Sequence, residues 1–77
     1  MRGNKMTKDV FQEMSARWPS AVVARVEVGR FTGGLISGKY LANLDSMGQG
    51  PKRITCGRKV GYPVNELVAW LRARSEG

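Results

Sequence analysis

Glycine and proline interrupt this chain at short intervals, and helices and strands rarely continue through such positions. The breaks fall at Pro19, residues 33–34, residues 48–51, Gly57 and Pro63. They leave room only for short elements, and a chain of 77 residues can pack such elements into one small domain.

The first predicted helix covers Thr7–Arg17, after a basic lead-in at residues 1–6 that we expect to be disordered. Its apolar residues, with Trp18, form one stripe, and the proline after Trp18 ends the helix. This helix either packs back on the core through Phe11, Met14 and Trp18 or meets a neighbouring protomer.

Residues 20–31 allow two interpretations. The run SAVVARVEV is rich in β-branched residues and could pair as a strand. Yet Val22, Val26 and Gly29 also fall on one helical face. We expect an extended start at Val22–Val23 and then a helix over about Ala24–Phe31.

A turn at Thr32-Gly33-Gly34 precedes the next predicted helix, which Ser37 begins as N-cap. Leu41, Leu44 and Met47 lie along one face of this helix, and the sequence Gly-Gln-Gly-Pro ends it. Gly38 weakens the helix by roughly 0.5–1 kcal/mol relative to alanine.

Residues 52–62 alternate as strands do, and Gly57 supplies the positive φ of a tight turn. The segment therefore predicts a β-hairpin with the arms KRITC and RKVGY. Pro63 opens a last helix at position N1. The expected core residues, with Trp18 and Trp70 as packing anchors, are Ile36, Leu41, Leu44, Val60, Leu67, Val68 and Leu71.

The charge of the chain is strongly positive and unevenly distributed. Lysine and arginine number 13 against 6 acidic residues, a net charge of +7. More than half of that excess lies in residues 49–62, which contain Lys52, Arg53, Arg58 and Lys59 and no acidic residue. Such a segment points to a polyanionic partner. Exposed charges on a strand edge also protect against aggregation, which is the alternative explanation.

Several functional classes are disfavoured. The chain has no histidine and one cysteine, Cys56, so the usual metal clusters, a disulfide and the commonest general base are missing. It also lacks paired carboxylates and a P-loop, and we expect neither an enzyme nor a cofactor or metal site. No apolar run approaches 18 residues, which argues against insertion into a membrane, and no apolar stretch follows the first residues as in a secretory signal. We expect no membrane partner. We expect a bacterial protein of the reducing cytoplasm, associated with the chromosome.

The predicted order is helix, turn, helix, basic hairpin, helix, which is the order of a winged helix-turn-helix. An α-helix fits the major groove of DNA, and a two-stranded ribbon can reach the neighbouring minor groove or phosphates. The expected fold is mostly α with a small β-hairpin: an N-terminal unit at residues 1–18 and a winged helix-turn-helix domain at residues 19–77.

The sequence over residues 24–74 resembles the excisionases, or recombination directionality factors, of prophages and integrative conjugative elements. These are small MerR-type winged-helix proteins. The resemblance lies in LISGKYLANLDSMG, GQGP, ITCGRKVGYP and NELVAWL. It implies a second helix in the major groove and a wing in the minor groove.

The resemblance assigns DNA contacts in the second helix to Ser37, Lys39, Tyr40 and Asn43, and in the wing to Lys52, Arg53, Arg58 and Lys59. Arg25 and Arg30 are expected to make backbone contacts or surface pairs. Alternatives remain for the helix: Asn43 reads adenine or faces solvent, Tyr40 holds a phosphate or is half-buried, and Ser37 caps the helix or also reaches a phosphate.

The function implied is architectural. Relatives bind repeated attachment-site sequences side by side, bend double-stranded DNA and direct an integrase toward excision. The partners expected are therefore DNA, neighbouring protomers and an integrase. A transcriptional regulator of the same class is the alternative, and a basic adaptor for an acidic protein is a third hypothesis.

Overall fold

The computed structural model describes residues 9–75, so the expected lead-in and positions 7 and 8 of the first predicted helix lie outside the described residues. Within this range the fold is mixed α/β, with four α-helices and one antiparallel three-stranded sheet. The helices are α1 (Val10–Arg17), α2 (Val28–Phe31), α3 (Gly38–Ser46) and α4 (Val64–Arg74). The strands are β1 (Val22–Ala24), β2 (Ile54–Cys56) and β3 (Lys59–Pro63), and a 3-10 turn covers Arg25–Glu27.

Helix α1 packs back on the domain, which is the first of the two roles open to it. Asp9 caps its N-terminus by accepting a hydrogen bond from the Phe11 N–H at 3.1 Å. Phe11, Met14 and Trp18 are half-buried against the core. Arg72 of α4 fastens the start of the helix, since its guanidinium lies 2.9 Å from the Asp9 carboxylate and over the Phe11 ring.

Residues 20–31 combine both interpretations of the sequence. Val22–Ala24 pairs antiparallel with β3, with Val23 opposite Tyr62. The predicted helix over Ala24–Phe31 is wrong at its start, because pairing with β3 holds Ala24 in a strand and buries Val23 completely. The chain then turns through Arg25–Glu27 into the single α-helical turn of α2.

The turn between α2 and α3 is organised by the buried side chain of Thr32. Its hydroxyl donates to the Val28 carbonyl at 2.9 Å and accepts from the Ile36 N–H at 3.3 Å. Gly33 and Gly34 both have positive φ, which the two-glycine break predicts. Ser37 is the N-cap of α3, as predicted, and its hydroxyl accepts from the Tyr40 N–H at 3.1 Å.

The predicted hairpin is present as β2 and β3, joined at Gly57 with φ of 61°. Strand β3 lies at the centre of the sheet, between β1 and β2. Pro63 is the N-cap of α4 rather than its N1 residue, because it still pairs with Val22 as the last residue of β3.

The core lies between the sheet and the helices. Leu41, Leu44, Leu67 and Val68 are buried as predicted, whereas Met47 is 59% exposed just past the end of α3. The residues that are partly buried against this core include the remaining predicted ones, Ile36, Val60 and Leu71, and both tryptophans. The core also contains Val23, Val28, Phe31, Tyr62 and Val64. No helix within residues 9–75 is long and apolar enough to cross a membrane.

Candidate nucleic-acid interface

Helix α3 presents its polar side to solvent because Leu41 and Leu44 turn the opposite side toward the core. Lys39 and Asn43 are exposed and lie one turn apart on this outer side. Tyr40 is 40% exposed at the flank, where its hydroxyl accepts a hydrogen bond from Arg74 of α4 at 3.3 Å. The outer face of α3 therefore carries a cation and an amide, with a phenol at its flank, and such side chains are able to bind phosphates and base edges.

The outer strand of the hairpin and its turn are exposed, whereas most of β3 is half-buried or buried. All three residues of β2 are exposed, as are the predicted wing residues Lys52, Arg53, Arg58 and Lys59. The tight turn at Gly57 places Arg58 next to the tip and Lys59 opposite Cys56. Cations on this exposed strand and turn are accessible to a polyanionic partner such as a nucleic-acid backbone. Binding of such a partner does not require an enclosed pocket.

A buried carboxylate joins α3 to the sheet. The Asp45 side chain of α3 is only 5% exposed and accepts hydrogen bonds from Arg25 at 2.6 Å and from the Tyr62 hydroxyl at 2.7 Å. The Nε of Arg25 donates in turn to the Tyr62 hydroxyl at 3.0 Å. These three residues form a closed triangle, which we call the Asp45 network. It fixes the orientation of α3 relative to β3, because each member comes from a different element.

The protonation states of Tyr62 and Arg25 follow from burial and pairing. Burial raises the pKa of Tyr62 above its ordinary value, and its hydrogen bond to the Asp45 carboxylate adds to that effect. The hydrogen bond to Tyr62, together with the one to Asp45, raises the pKa of Arg25 despite partial burial. Tyr62 therefore stays a neutral donor and Arg25 stays a cation at physiological pH.

Arg25 and Arg30, the two arginines predicted to contact the DNA backbone, have different surroundings. Arg25 belongs to the Asp45 network, and Arg53 of the hairpin approaches the other oxygen of the same carboxylate at 3.7 Å. The structure thus brings Arg25 and Arg53 together. Arg30 instead pairs with Glu27 at 3.3 Å and lies over the Trp18 ring, with a side chain that is 78% exposed.

Sequence reasoning missed Asp45 and Tyr62. The available signal was the position of Asp45 four residues after Leu41, which puts an acidic residue on the edge of an apolar helical stripe. An acid at such a position requires a partner, since an unpaired buried charge is costly. The identity of its partners could not be read from the sequence, because Arg25 and Tyr62 are 20 and 17 residues away from Asp45.

No group of three histidine, cysteine, aspartate or glutamate side chains within residues 9–75 could hold a metal ion. Cys56 is an exposed free thiol on the hairpin. A groove of about 680 Å³ runs between α1 and the turn after α2 and is lined mainly by apolar side chains.

Comparison of the chain with known protein families, with curated proteins and with solved structures finds no match.

Proposed function

We propose that this chain is a winged helix-turn-helix protein that binds double-stranded DNA, with α3 as the recognition helix and the β2–β3 hairpin as the wing. One observation carries the proposal. The four cations of the hairpin are all exposed, no acidic residue lies among residues 49–62, and this ribbon follows a helix whose outer side carries Lys39 and Asn43. A helix for the major groove and a basic ribbon for the adjacent backbone form a complementary pair.

The finer proposal is a recombination directionality factor, as the sequence resemblance implies. Such a protein acts by binding and not by catalysis. Copies occupy repeated sites side by side, bend the duplex and arrange the DNA for an integrase. Bending one site costs on the order of 1–6 kcal/mol, which phosphate neutralisation by the hairpin and α3 would offset.

A salt-titrated fluorescence anisotropy series tests this proposal. The probes are a duplex from the attachment site of the mobile element that encodes the chain and a scrambled duplex of equal length. We expect preference for the attachment site and an affinity that falls with salt, with a slope of roughly −0.9 per phosphate neutralised. Stepwise shifts of the same duplex in a gel are expected if protomers bind side by side.

Two charge variants make the test specific. Arg58→Ala removes a hairpin cation and is expected to reduce the salt slope by about 0.9. Arg17→Ala is the matched control, because it removes an arginine that is also exposed but lies in α1, and it should leave the slope unchanged. Equal binding to both duplexes would reject the sequence-specific role. Absence of binding at moderate salt would reject DNA as the partner and favour an acidic protein.

A further inference from the structure

Two guanidinium groups from distant parts of the chain converge on one buried carboxylate. Arg25 lies 2.6 Å from Oδ2 of Asp45, and Arg53 lies 3.7 Å from Oδ1. We propose that Arg25 and Arg53 form one composite site for a single backbone phosphate of DNA, and that Asp45 and Tyr62 are positioning residues for it. This inference rests on the proposed function and adds to it a specific phosphate site and residues that hold it.

The two arginines keep donors available for a ligand. Arg25 uses Nε for the Tyr62 hydroxyl and one Nη for Asp45, and no hydrogen bond within residues 9–75 occupies its other Nη. Arg53 contacts Asp45 only as an ion pair, beyond hydrogen-bond distance. The arginine side chains are 28% and 45% exposed, whereas Asp45 is 5% exposed. The carboxylate is therefore inside, and donors of both arginines can face solvent.

The charge of the cluster favours an anion. Two guanidinium groups share one carboxylate, so the cluster carries one positive charge that is not compensated locally. Arginine suits this role, because its planar fork matches two phosphate oxygens and Asp45 restricts its orientation.

Asp45 is also incompletely satisfied within the described residues. Its Oδ1 atom is buried without a hydrogen bond, and Gly50 packs so closely beside it that a β-carbon there would overlap this oxygen. A small inward movement of Arg53 would supply the missing hydrogen bond while its outer nitrogens hold a phosphate. Phosphate binding would thus complete the cluster.

The cluster lies where a backbone phosphate would pass. Asp45 and Gly38 are seven residues apart and so share one edge of α3, and the main chain of Arg25 contacts Gly38 on that edge. Lys39 and Asn43 lie further around the helix, on its outer side. When a helix lies in the major groove, phosphates border it on both sides.

A pair of arginine-to-lysine variants tests Arg53 without removing charge. Arg53→Lys loses the planar fork but keeps the cation, and it is expected to weaken binding to a random-sequence duplex about tenfold, as for one lost charge-assisted hydrogen bond. Arg58→Lys is the matched control on the same hairpin, and we expect a change of less than about twofold, because no carboxylate within the described residues orients Arg58.

Asp45→Asn distinguishes an effect of net charge from a positioning role of Asp45, because the two predict opposite changes in the affinity for DNA. If only net charge mattered, removal of an acid would strengthen binding to DNA. If Asp45 positions the two arginines, binding to the same duplex becomes weaker although the protein is more positive. Circular dichroism at the assay temperature confirms that the variant is folded, and the lysine pair provides the answer if it is not.

The outcomes separate this inference from the proposed function. Weaker binding by Arg53→Lys, with Arg58→Lys unchanged, supports the composite site, and weaker binding by folded Asp45→Asn extends that support to positioning. Wild-type DNA binding together with an Arg53→Lys variant as active as Arg58→Lys overturns the composite site and leaves the proposed function standing. Failure of the wild-type protein to bind any duplex at moderate salt overturns both. Inorganic phosphate that competes no better than chloride at equal ionic strength identifies the phosphodiester of DNA, rather than a free anion, as the ligand.

Discussion

Glycines in this chain differ in whether the surrounding structure requires the absence of a side chain, and the sequence does not show this difference. Gly38 and Gly29 both lie in helices, where glycine is the less favourable choice. A β-carbon at Gly38 would overlap the carbonyl oxygen of Arg25, whereas a β-carbon at Gly29 would meet its nearest neighbour at an ordinary distance of 3.9 Å. The glycine that weakens α3 locally is therefore what allows α3 to approach the Arg25 main chain closely.

We predict opposite effects for the two alanine variants. Gly38→Ala should lower the free energy of unfolding by about 1–3 kcal/mol, because the main chain of residue 25 or α3 must move. Gly29→Ala should raise it by about 0.5 kcal/mol through helix propensity alone. Urea unfolding monitored by circular dichroism measures both. Stabilisation by Gly38→Ala would show that the contact is easily relaxed.

At the scale of single elements, α1 depends on its contacts with the rest of the domain. It has eight residues, none of them fully buried, and too few turns to be stable alone. It is held by its cap, by Arg72 and by the half-buried side chains of Phe11, Met14 and Trp18. Trp18 adds a hydrogen bond from its indole to the Val22 carbonyl at 3.0 Å and an edge contact with Phe31.

This packing predicts which side chains of α1 stabilise the domain. Met14→Ala should destabilise the domain by about 1–2 kcal/mol, because a half-buried side chain loses part of its apolar contact, and the Tm should fall by roughly 5–10 °C. Gln12→Ala, at an exposed position of the same helix, should change the Tm by little. Thermal unfolding of both variants is the measurement. If Met14→Ala altered cooperative DNA binding but not the Tm, α1 would instead be a surface for a neighbouring protomer.

At the scale of the whole molecule, the Asp45 network joins elements that are far apart in the sequence. It connects α3, the 3-10 turn and β3 through one carboxylate. Tyr62 is fully buried in the middle strand, so its hydroxyl has to find partners inside the protein. The relative position of α3 and the hairpin depends on this network and on the β1–β3 pairing.

The raised pKa of Tyr62 predicts a loss of stability at high pH. The folded protein holds the phenol protonated, so this stabilisation is fully present below about pH 10, the unfolded value, and is lost as the pH rises through the higher folded pKa. Tyr40→Phe leaves Tyr62 as the single tyrosine of the chain. Absorbance at 295 nm of this variant should show a titration midpoint above 10 that coincides with or follows unfolding.

A control variant completes the pH experiment. In Tyr62→Phe, the loss of stability at high pH that is due to Tyr62 should disappear. The free energy of unfolding at neutral pH should fall by about 1–3 kcal/mol, because Asp45 loses a hydrogen-bond donor. A midpoint of Tyr62 near 10 in folded protein would contradict the burial argument.

The sequence by itself determined the elements whose causes are local. Neighbouring residues account for the cap at Ser37, the turn at Gly57, the end of α1 before Pro19, the apolar stripe of α4 and the exposed cations of the hairpin. Only the tertiary structure decided that Val22–Ala24 joins the sheet, that Pro63 remains in a strand and that Arg25 and Arg53 share Asp45. Those features arise between residues far apart in the chain, and the free energy of pairing a strand edge or a buried charge depends on a partner that local patterns do not identify.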